Sequence, residues 1–184
     1  MSDPGDPAAA AAEQLVEEVD LQGRVLRVVP RAQMRAERLR HRCTYVLVVD
    51  RDERLVVHRR AGWKDVWPGR WDVAFGGVVG VGEDWGAAAQ RELLEEAGVE
   101  AGLQALGGGA YEDDDVSVLG RVYLARHDGP FTFPDGEVVA SDRIALDDVA
   151  GWMAAHELCP DSIALATGAF GALLGPGSPP PGPE

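Results

Sequence analysis

Apolar positions along the first half of the chain fall in short runs broken by turn residues. Leu15 to Val19 and Arg24-Val-Leu-Arg-Val-Val29, separated by Asp20-Leu-Gln-Gly23, predict an N-terminal hairpin over residues 15–29. Pro30 is placed to open a short helix through Met34 and Leu39, since proline is tolerated in a first turn. Thr44-Tyr-Val-Leu-Val-Val49 is an unbroken, β-branched run that predicts a central strand, and Leu55 to Arg59 follows as its hairpin partner. A tryptophan-rich loop then leads to an expected strand at Asp72–Phe75. The pattern next turns helical: Ala87, Ala88, Ala89, Leu93 and Leu94 are strong helix formers, and Gly98 stands where a left-handed cap is wanted. Strands are expected at Leu103–Tyr111, Val116–Ala125 and Glu137–Ala145. A helix is expected near Asp147, and another from Ile163 to Leu174 capped by Asp161 or Ser162. Strands with helices at the middle and end predict an α/β (α+β) fold, a mixed sheet covered on both faces.

The middle helix carries an electrostatic anomaly. Glu92, Glu95 and Glu96 sit at i, i+3 and i+4, so three carboxylates share one face, two of them at the negative end of the helix dipole. Like charges so placed repel, and a local rule broken without visible compensation is where a functional site is expected.

Composition narrows what that site binds. The chain has 184 residues and a net charge of −14. Its length suits one domain, expected over residues 14–174, between a flexible tail at 1–13 and a Pro/Gly-rich one at 175–184. So acidic a surface repels nucleic-acid polymers and anionic membranes, yet admits a small phosphorylated ligand where a divalent metal neutralises the site. No apolar run has the length of a membrane span, and residues 1–12 carry no basic region ahead of their alanines; a cytoplasmic protein is expected, with Cys43 and Cys159 as buried thiols.

The spacing of Gly77, Glu83, Arg91-Glu92-Leu93, Glu95-Glu96 and Gly98-Val99 fits G-x5-E-x7-R-E-U-x-E-E-x-G-U, with U a bulky aliphatic residue. On these residues the chain resembles the Nudix hydrolases, without a mismatch over residues 77–99. The resemblance spans roughly Val19 to Leu174. It implies an α/β/α sandwich with a central mixed sheet, and a loop-helix-loop holding Mg²⁺ or Mn²⁺ against a diphosphate. Glu92, Glu95 and Glu96 would be metal ligands, joined by the carbonyl of Gly76 and by Glu137, which lies where many family members carry a further metal-binding or base glutamate. Glu95 or Glu96 would orient or deprotonate the attacking water. Arg91 and Glu83 would form a salt bridge fixing the loop that starts at Gly77.

Positive charge for phosphate concentrates before this motif, at His58-Arg59-Arg60, Lys64 and Arg70. Arg59, Arg60 and Lys64 are the candidate phosphate contacts, and Trp63 is the candidate to stack on a base, whereas Trp67 and Trp71 suit the core. The segment Arg59-Arg60 … Lys64 … Trp67-Pro68-Gly69 … Trp71 looks like isopentenyl-diphosphate isomerases and their Nudix-hydrolase relatives. The isomerases' catalytic cysteine falls at Gly76 here, and the histidine of their Cys-Gly-His segment at Val78, so the hydrolase relatives are the better match. The expected activity is metal-dependent hydrolysis of a diphosphate linkage in a nucleoside diphosphate joined to another moiety, or in a nucleoside di- or triphosphate. The rivals are a non-catalytic nucleotide-binding module and an isomerase. Glu112-Asp-Asp-Asp115 reads as a solvated loop. His41, His127 and His156 have no ligand spacing. The hairpin over 15–29 offers an edge for pairing in a homodimer.

Overall fold

A computed structural model describes residues 11–173. The tails expected over 1–13 and 175–184 therefore lie outside the described residues, apart from 11–13, which are helical, and so does Leu174. In chain order the elements are β1 (Leu15–Val19), β2 (Val25–Pro30), α1 (Arg31–Ala36), β3 (His41–Val49), β4 (Arg54–Arg60), β5 (Trp71–Asp72), α2 (Trp85–Ala97), β6 (Leu103–Glu112), β7 (Ser117–Arg126), β8 (Val138–Ala145), α3 (Val149–Ala154) and α4 (Pro160–Leu173).

The core strand is β3, whose apolar run is continuous because both its faces are covered. Tyr45, Leu47 and Val49 point into one core with Met34 of α1, Met153 of α3 and Phe170 of α4. Val46 and Val48 point into another with Ala89, Leu93 and Ala97 of α2. One edge of β3 pairs in parallel with β7, from His41↔Val118 to Val49↔Arg126, and β6 closes that side of the sheet. The other edge is divided. β4 pairs with β3 only at Val48↔Val56 and Val49↔Leu55, then diverges to pair with β5 and, along its length, with β8. The edge it leaves is taken by isolated bridges at Val46↔Phe75 and Cys43↔Val78. This division presses Gly76-Gly77 against the middle of the sheet.

Several boundaries differ from expectation. The strand expected at Asp72–Phe75 is regular only over Trp71–Asp72, because the chain leaves β4 there and crosses to β3. The first helix stops at Ala36, with Arg38 in a left-handed conformation (φ 51°) turning the chain. The helix expected near Asp147 begins as a 3₁₀ turn at Leu146–Asp148. The last helix starts at Pro160, so Asp161 and Ser162 lie inside its first turn: Asp161 accepts from Tyr45, and Ser162 Oγ donates to the Cys159 carbonyl at 3.1 Å. The middle helix has an N-cap in Asp84, whose carboxylate accepts from Gly86 and Ala87 N–H, and its cap at Gly98 is left-handed as expected (φ 69°).

β1 and β2 form a separate two-stranded sheet. Glu17 of β1 is buried; it accepts from Gly82 N–H at 2.9 Å and pairs with Arg42 at 2.7 Å, so the hairpin braces the loop leading into α2. Among the described residues no helix is long and apolar enough to cross a membrane. Cys43 and Cys159 are both buried free thiols, and burial pushes the Cys43 thiol up to about 12.

Candidate active site

A cleft of about 310 Å³ opens where the end of α2, the Gly76-Gly77 crossing, the tryptophan loop and the start of α4 meet. Glu92, Glu95, Glu96, Arg91, Gly76, Gly77, Glu137, Arg60, Trp63 and Lys64 all line it. Arg59 and Glu83 are not among its lining residues. Arg59 Nε donates to the Gly69 carbonyl at 2.9 Å, which fastens the tryptophan loop to β4.

The three helix carboxylates are not equivalent. Glu96 is 3% exposed and accepts a hydrogen bond from Gly76 N–H at 2.9 Å. Glu92 is nearly as enclosed, whereas the Glu95 side chain is half-exposed. Burial raises the carboxyl of Glu96 well above its ordinary range, and the neighbouring Glu92 adds to the rise. Burial likewise raises Glu92; Arg91 opposes this, and Glu95 and Glu137 add to it. Two enclosed carboxylates that repel one another make a place where positive charge is wanted.

The glycine pair is explained by space. An alanine Cβ at Gly77 would lie 2.7–2.8 Å from all three atoms of the Glu92 carboxylate. At Gly76 it would lie 1.9 Å from the Thr44 carbonyl oxygen, on β3. The bare backbone at 77 thus makes room for a carboxylate, and at 76 for the sheet.

Arg91 is the hub of the acidic face. Its Nε and Nη2 donate to the two oxygens of Glu83, each at 2.9 Å, in a bidentate pair. Nη1 donates to Glu92 at 2.6 Å and to Glu95 at 3.0 Å, and Nη2 also reaches the Val78 carbonyl at 3.2 Å. Glu83 in turn accepts from Gly80 N–H at 2.7 Å. The Arg91 hydrogen bond holds Glu83 below the usual carboxylate range. The pair therefore fastens the loop to the helix, with Arg91 also orienting two of the three carboxylates.

The facing wall carries cations. Lys64 forms an ion pair with Glu137 and lies over the ring of Trp63, 5.7 Å from its centroid. Arg60 is largely enclosed; Nη2 donates to the Val66 carbonyl at 3.2 Å, and Nε has no acceptor. Arg31 and Arg35 both pair with Asp65, at 3.0 and 2.9 Å; burial opposes ionisation of Asp65, yet these two guanidiniums hold it well below its ordinary value.

His58 is no cation of this site: it is buried and stacked on Phe75 with centroids 4.4 Å apart, and burial pushes it down to about 3, leaving it neutral. Arg70 also stays out of the cleft, donating to the Leu158 carbonyl at 3.1 Å over Trp67. Trp67 and Trp71, both expected in the core, are partly buried and pack against it, Trp71 edge-on to Trp152 and Trp67 also lining the cleft. Cleft residues to which the sequence assigned no part in the site include Tyr45, Asp72 and Asp161. No short motif joins them; Tyr45 and Asp161 are 116 residues apart.

The NUDIX domain family matches residues 39–169. The chain belongs to the Nudix family. It is 37% identical over 150 residues to an uncharacterised Nudix hydrolase of Yersinia pestis, covering 81% of this chain and 78% of that one. It is 34% identical over 154 residues to the uncharacterised Nudix hydrolase YfcD of Escherichia coli K12, covering 83% and 84%. Among solved structures the fold is similar to that of DR0079 from Deinococcus radiodurans, with a TM-score of 0.66 at 24% identity over 78% of this chain and 91% of that one. It is also similar to the NUDIX domain of Shewanella oneidensis NrtR, with a TM-score of 0.61 at 16% identity over 79% and 99%. The protein is thus a Nudix hydrolase, an enzyme of the pyrophosphatase type, and its mixed sheet between helices is the Nudix sandwich. Hydrolases of this family generally use divalent metals and act on nucleoside diphosphate derivatives.

The residues present fit such a metal. Glu92 and Glu96 supply hard oxygen donors, and their mutual repulsion is relieved once a dication stands between them. Among the described residues no three His, Cys, Asp or Glu side chains are already gathered at ligating spacing, and Arg91 holds both Glu92 and Glu95.

Proposed function

We propose that this Nudix hydrolase cleaves the diphosphate linkage of a nucleoside diphosphate joined to another moiety, or of a nucleoside di- or triphosphate, by direct attack of water at phosphorus. The observation that carries this reading is the enclosed Glu92–Glu96 pair facing Arg60, Lys64 and Trp63 across one cleft. Glu92, Glu95 and Glu96, the Gly76 carbonyl and Glu137 would hold Mg²⁺ or Mn²⁺, which when bound polarises phosphate oxygens and acidifies water. Glu96, fixed by Gly76 N–H, or the more exposed Glu95 orients that water and takes its proton. Arg91 keeps Glu92 and Glu95 in place. Lys64 exchanges Glu137 for a substrate phosphate, Arg60 contributes charge behind it, and Trp63 stacks on the base.

The Arg59 to Trp71 segment supports placing the chain with the hydrolase relatives of the isopentenyl-diphosphate isomerases. The lack of space for any side chain at Gly76, where the isomerases place a cysteine, supports hydrolysis over isomerisation. Residues 14–174 form the catalytic domain, and the cytoplasm is the expected setting.

A panel of nucleoside di- and triphosphates, nucleotide sugars and dinucleotides tests the reading. Hydrolysis with Mg²⁺ that stops on adding EDTA, and that is lost in Glu95→Gln, is the expected result. Micromolar binding without hydrolysis would favour a sensor module instead. Proton exchange into isopentenyl diphosphate without phosphate release would revive the isomerase.

We also propose that β2 is a homodimer edge. Val25, Leu26 and Val28 are 51%, 60% and 45% exposed, and among the described residues only β1 pairs with that strand. The hairpin's charges are paired within it or on its neighbours, Arg24 with Asp20, Arg27 with Glu18 and with Glu37 just past α1, and Glu17 with Arg42 of β3. An apolar, self-complementary edge suits a second copy across a twofold axis. Light scattering should give twice the 19.6 kDa of one chain, falling to one chain in Leu26→Asp. A wild-type mass of one chain at tens of micromolar would rule the dimer out.

A further inference from the structure

The tryptophan loop joins β4 to β5 and is secured to the body near both of its ends. Ala61 N–H donates to the Glu137 carbonyl at 2.7 Å, and Arg59 Nε holds the Gly69 carbonyl. Val66 and Trp67 pack against the core. The tip is held differently. Among the described residues, no backbone group of Gly62, Trp63, Lys64 or Asp65 bonds outside the loop. Two side chains hold the tip instead: Lys64 pairs with Glu137, one residue ahead of β8, and Asp65 pairs with Arg31 and Arg35 of α1.

The two tethers are built differently. Asp65 Oδ2 accepts from Arg31 Nε at 3.0 Å and from Arg35 Nε at 2.9 Å, while Oδ1 accepts from Arg31 Nη2 at 3.3 Å. Charge-assisted contacts made at two points are stronger and more directional than single ones. Arg31 and Arg35 lie one turn apart on α1, so both meet the same carboxylate, and their side chains are only 15% and 18% exposed. Met34, between them, is wholly buried and fixes α1 to the body. Against the effect of burial, the Arg35 and Arg31 guanidiniums keep the Asp65 carboxyl well below its ordinary range, so it stays charged at neutral pH. The Lys64 tether joins two groups that each have another partner to meet, a substrate phosphate for Lys64 and a metal for Glu137.

We propose that Asp65 is the positioning residue of this loop: anchored on Arg31 and Arg35, it keeps Lys64 and Trp63 facing the α2 glutamates after Lys64 has left Glu137. A tip without that anchor would be ordered only by the substrate, and the entropy of ordering it would be taken from binding. Neither arginine needs to touch the substrate. The proposal rests on the hydrolase reading above and extends it to a residue which that reading does not use.

The test uses Mg²⁺ and a substrate drawn from the panel. Asp65→Asn should raise KM about tenfold and leave kcat within about threefold, because the glutamates across the cleft are untouched. Asp65→Glu keeps the charge and should hold KM within about threefold of wild type. Asp65→Asn frees both guanidiniums in the cleft, whereas Arg31→Gln with Arg35→Gln removes them. A tether predicts the same rise in KM from either side and no further rise when the changes are combined. A KM that falls in Asp65→Asn and rises in the double arginine variant would overturn the proposal, since the arginines would then act on the substrate themselves. A loss of kcat at unchanged KM would overturn it too. A second readout needs no substrate. Lys64 is the only lysine of the chain, so a lysine-specific protease cuts only at the tip. The double arginine variant leaves the sequence around that bond intact, and well below its melting temperature it should be cut at least about fivefold faster than wild type. If no diphosphate is hydrolysed at all, the hydrolase reading fails by itself and the cleavage rate decides: faster cutting keeps the tether, and equal cutting removes it.

Discussion

Glu96→Gln should hydrolyse substrate roughly 10³-fold more slowly than the wild type and yet, free of metal, melt at a higher temperature. The rate loss corresponds to about 4 kcal/mol of transition-state stabilisation, the scale expected when a metal ligand or water-orienting carboxylate is removed. The gain in stability comes from the same carboxylate. Burial, with Glu92 beside it, raises the folded-state pKa of Glu96 above its ordinary 4.5. The folded protein therefore holds this proton more tightly than the unfolded chain, and stability falls as pH rises from about 4.5 through the raised value. Glutamine keeps the shape, still accepts from Gly76 N–H and carries no charge. The difference in melting temperature should therefore be clear at pH 7.5 and vanish near pH 4. Adding Mg²⁺ should raise the wild-type melting temperature and leave the variant nearly unmoved, a readout that needs no substrate. A variant that melts lower than wild type at pH 7.5 without metal would refute the account of the buried pair.

Gly76→Ala should lower the melting temperature by about 10 °C or more, a loss of roughly 3–5 kcal/mol for a domain of this size. The new Cβ would stand 1.9 Å from the Thr44 carbonyl oxygen, 2.8 Å from its carbon and 3.2 Å from Tyr45 Cα. All three are backbone atoms of β3, which is hydrogen-bonded to β7 along its length, so nothing nearby yields by changing a rotamer. Gly151→Ala is the control: no atom lies within 4 Å of its added Cβ, and in α3 alanine is the better helix former. It should match or slightly exceed the wild type. Equal melting of all three proteins would mean that the crossing at Gly76 is looser than described.

What could be read from the sequence was what is local. The run Thr44–Val49 announced the central strand because both of its faces are buried. Glu92 and Glu96, at i and i+4, announced a shared site, and Glu83 with Arg91 its brace. Sequence spacing could not separate Glu95 from the other two carboxylates. On the helix surface its side chain turns toward solvent, and only the docking of α2 onto Val46, Val48 and Phe75 decides which carboxylates are enclosed. Cations before the motif were visible as a cluster, but pairing sorted them: β4 turns His58 into the core, sends Arg59 to the Gly69 carbonyl and leaves Arg60 and Lys64 for the cleft. Glu17 looked like one acid among many until the hairpin folded onto Gly82 and Arg42. Tyr45, Asp72 and Asp161 carry no signal at any short spacing, because topology alone brings them together.

Because β3 and β7 lie parallel, the chain between them must travel back across the sheet before β7 can dock, and the motif helix is part of that return. On the ribosome the carboxylates of residues 92–96 emerge well before β7, and Asp161 emerges last, in the first turn of the final helix. The acidic face therefore exists as sequence long before it exists as a site, and the wall facing it is finished only when α4 closes against Tyr45. A nascent chain halted before residue 160 would carry every residue of the family motif and still lack one side of its cleft.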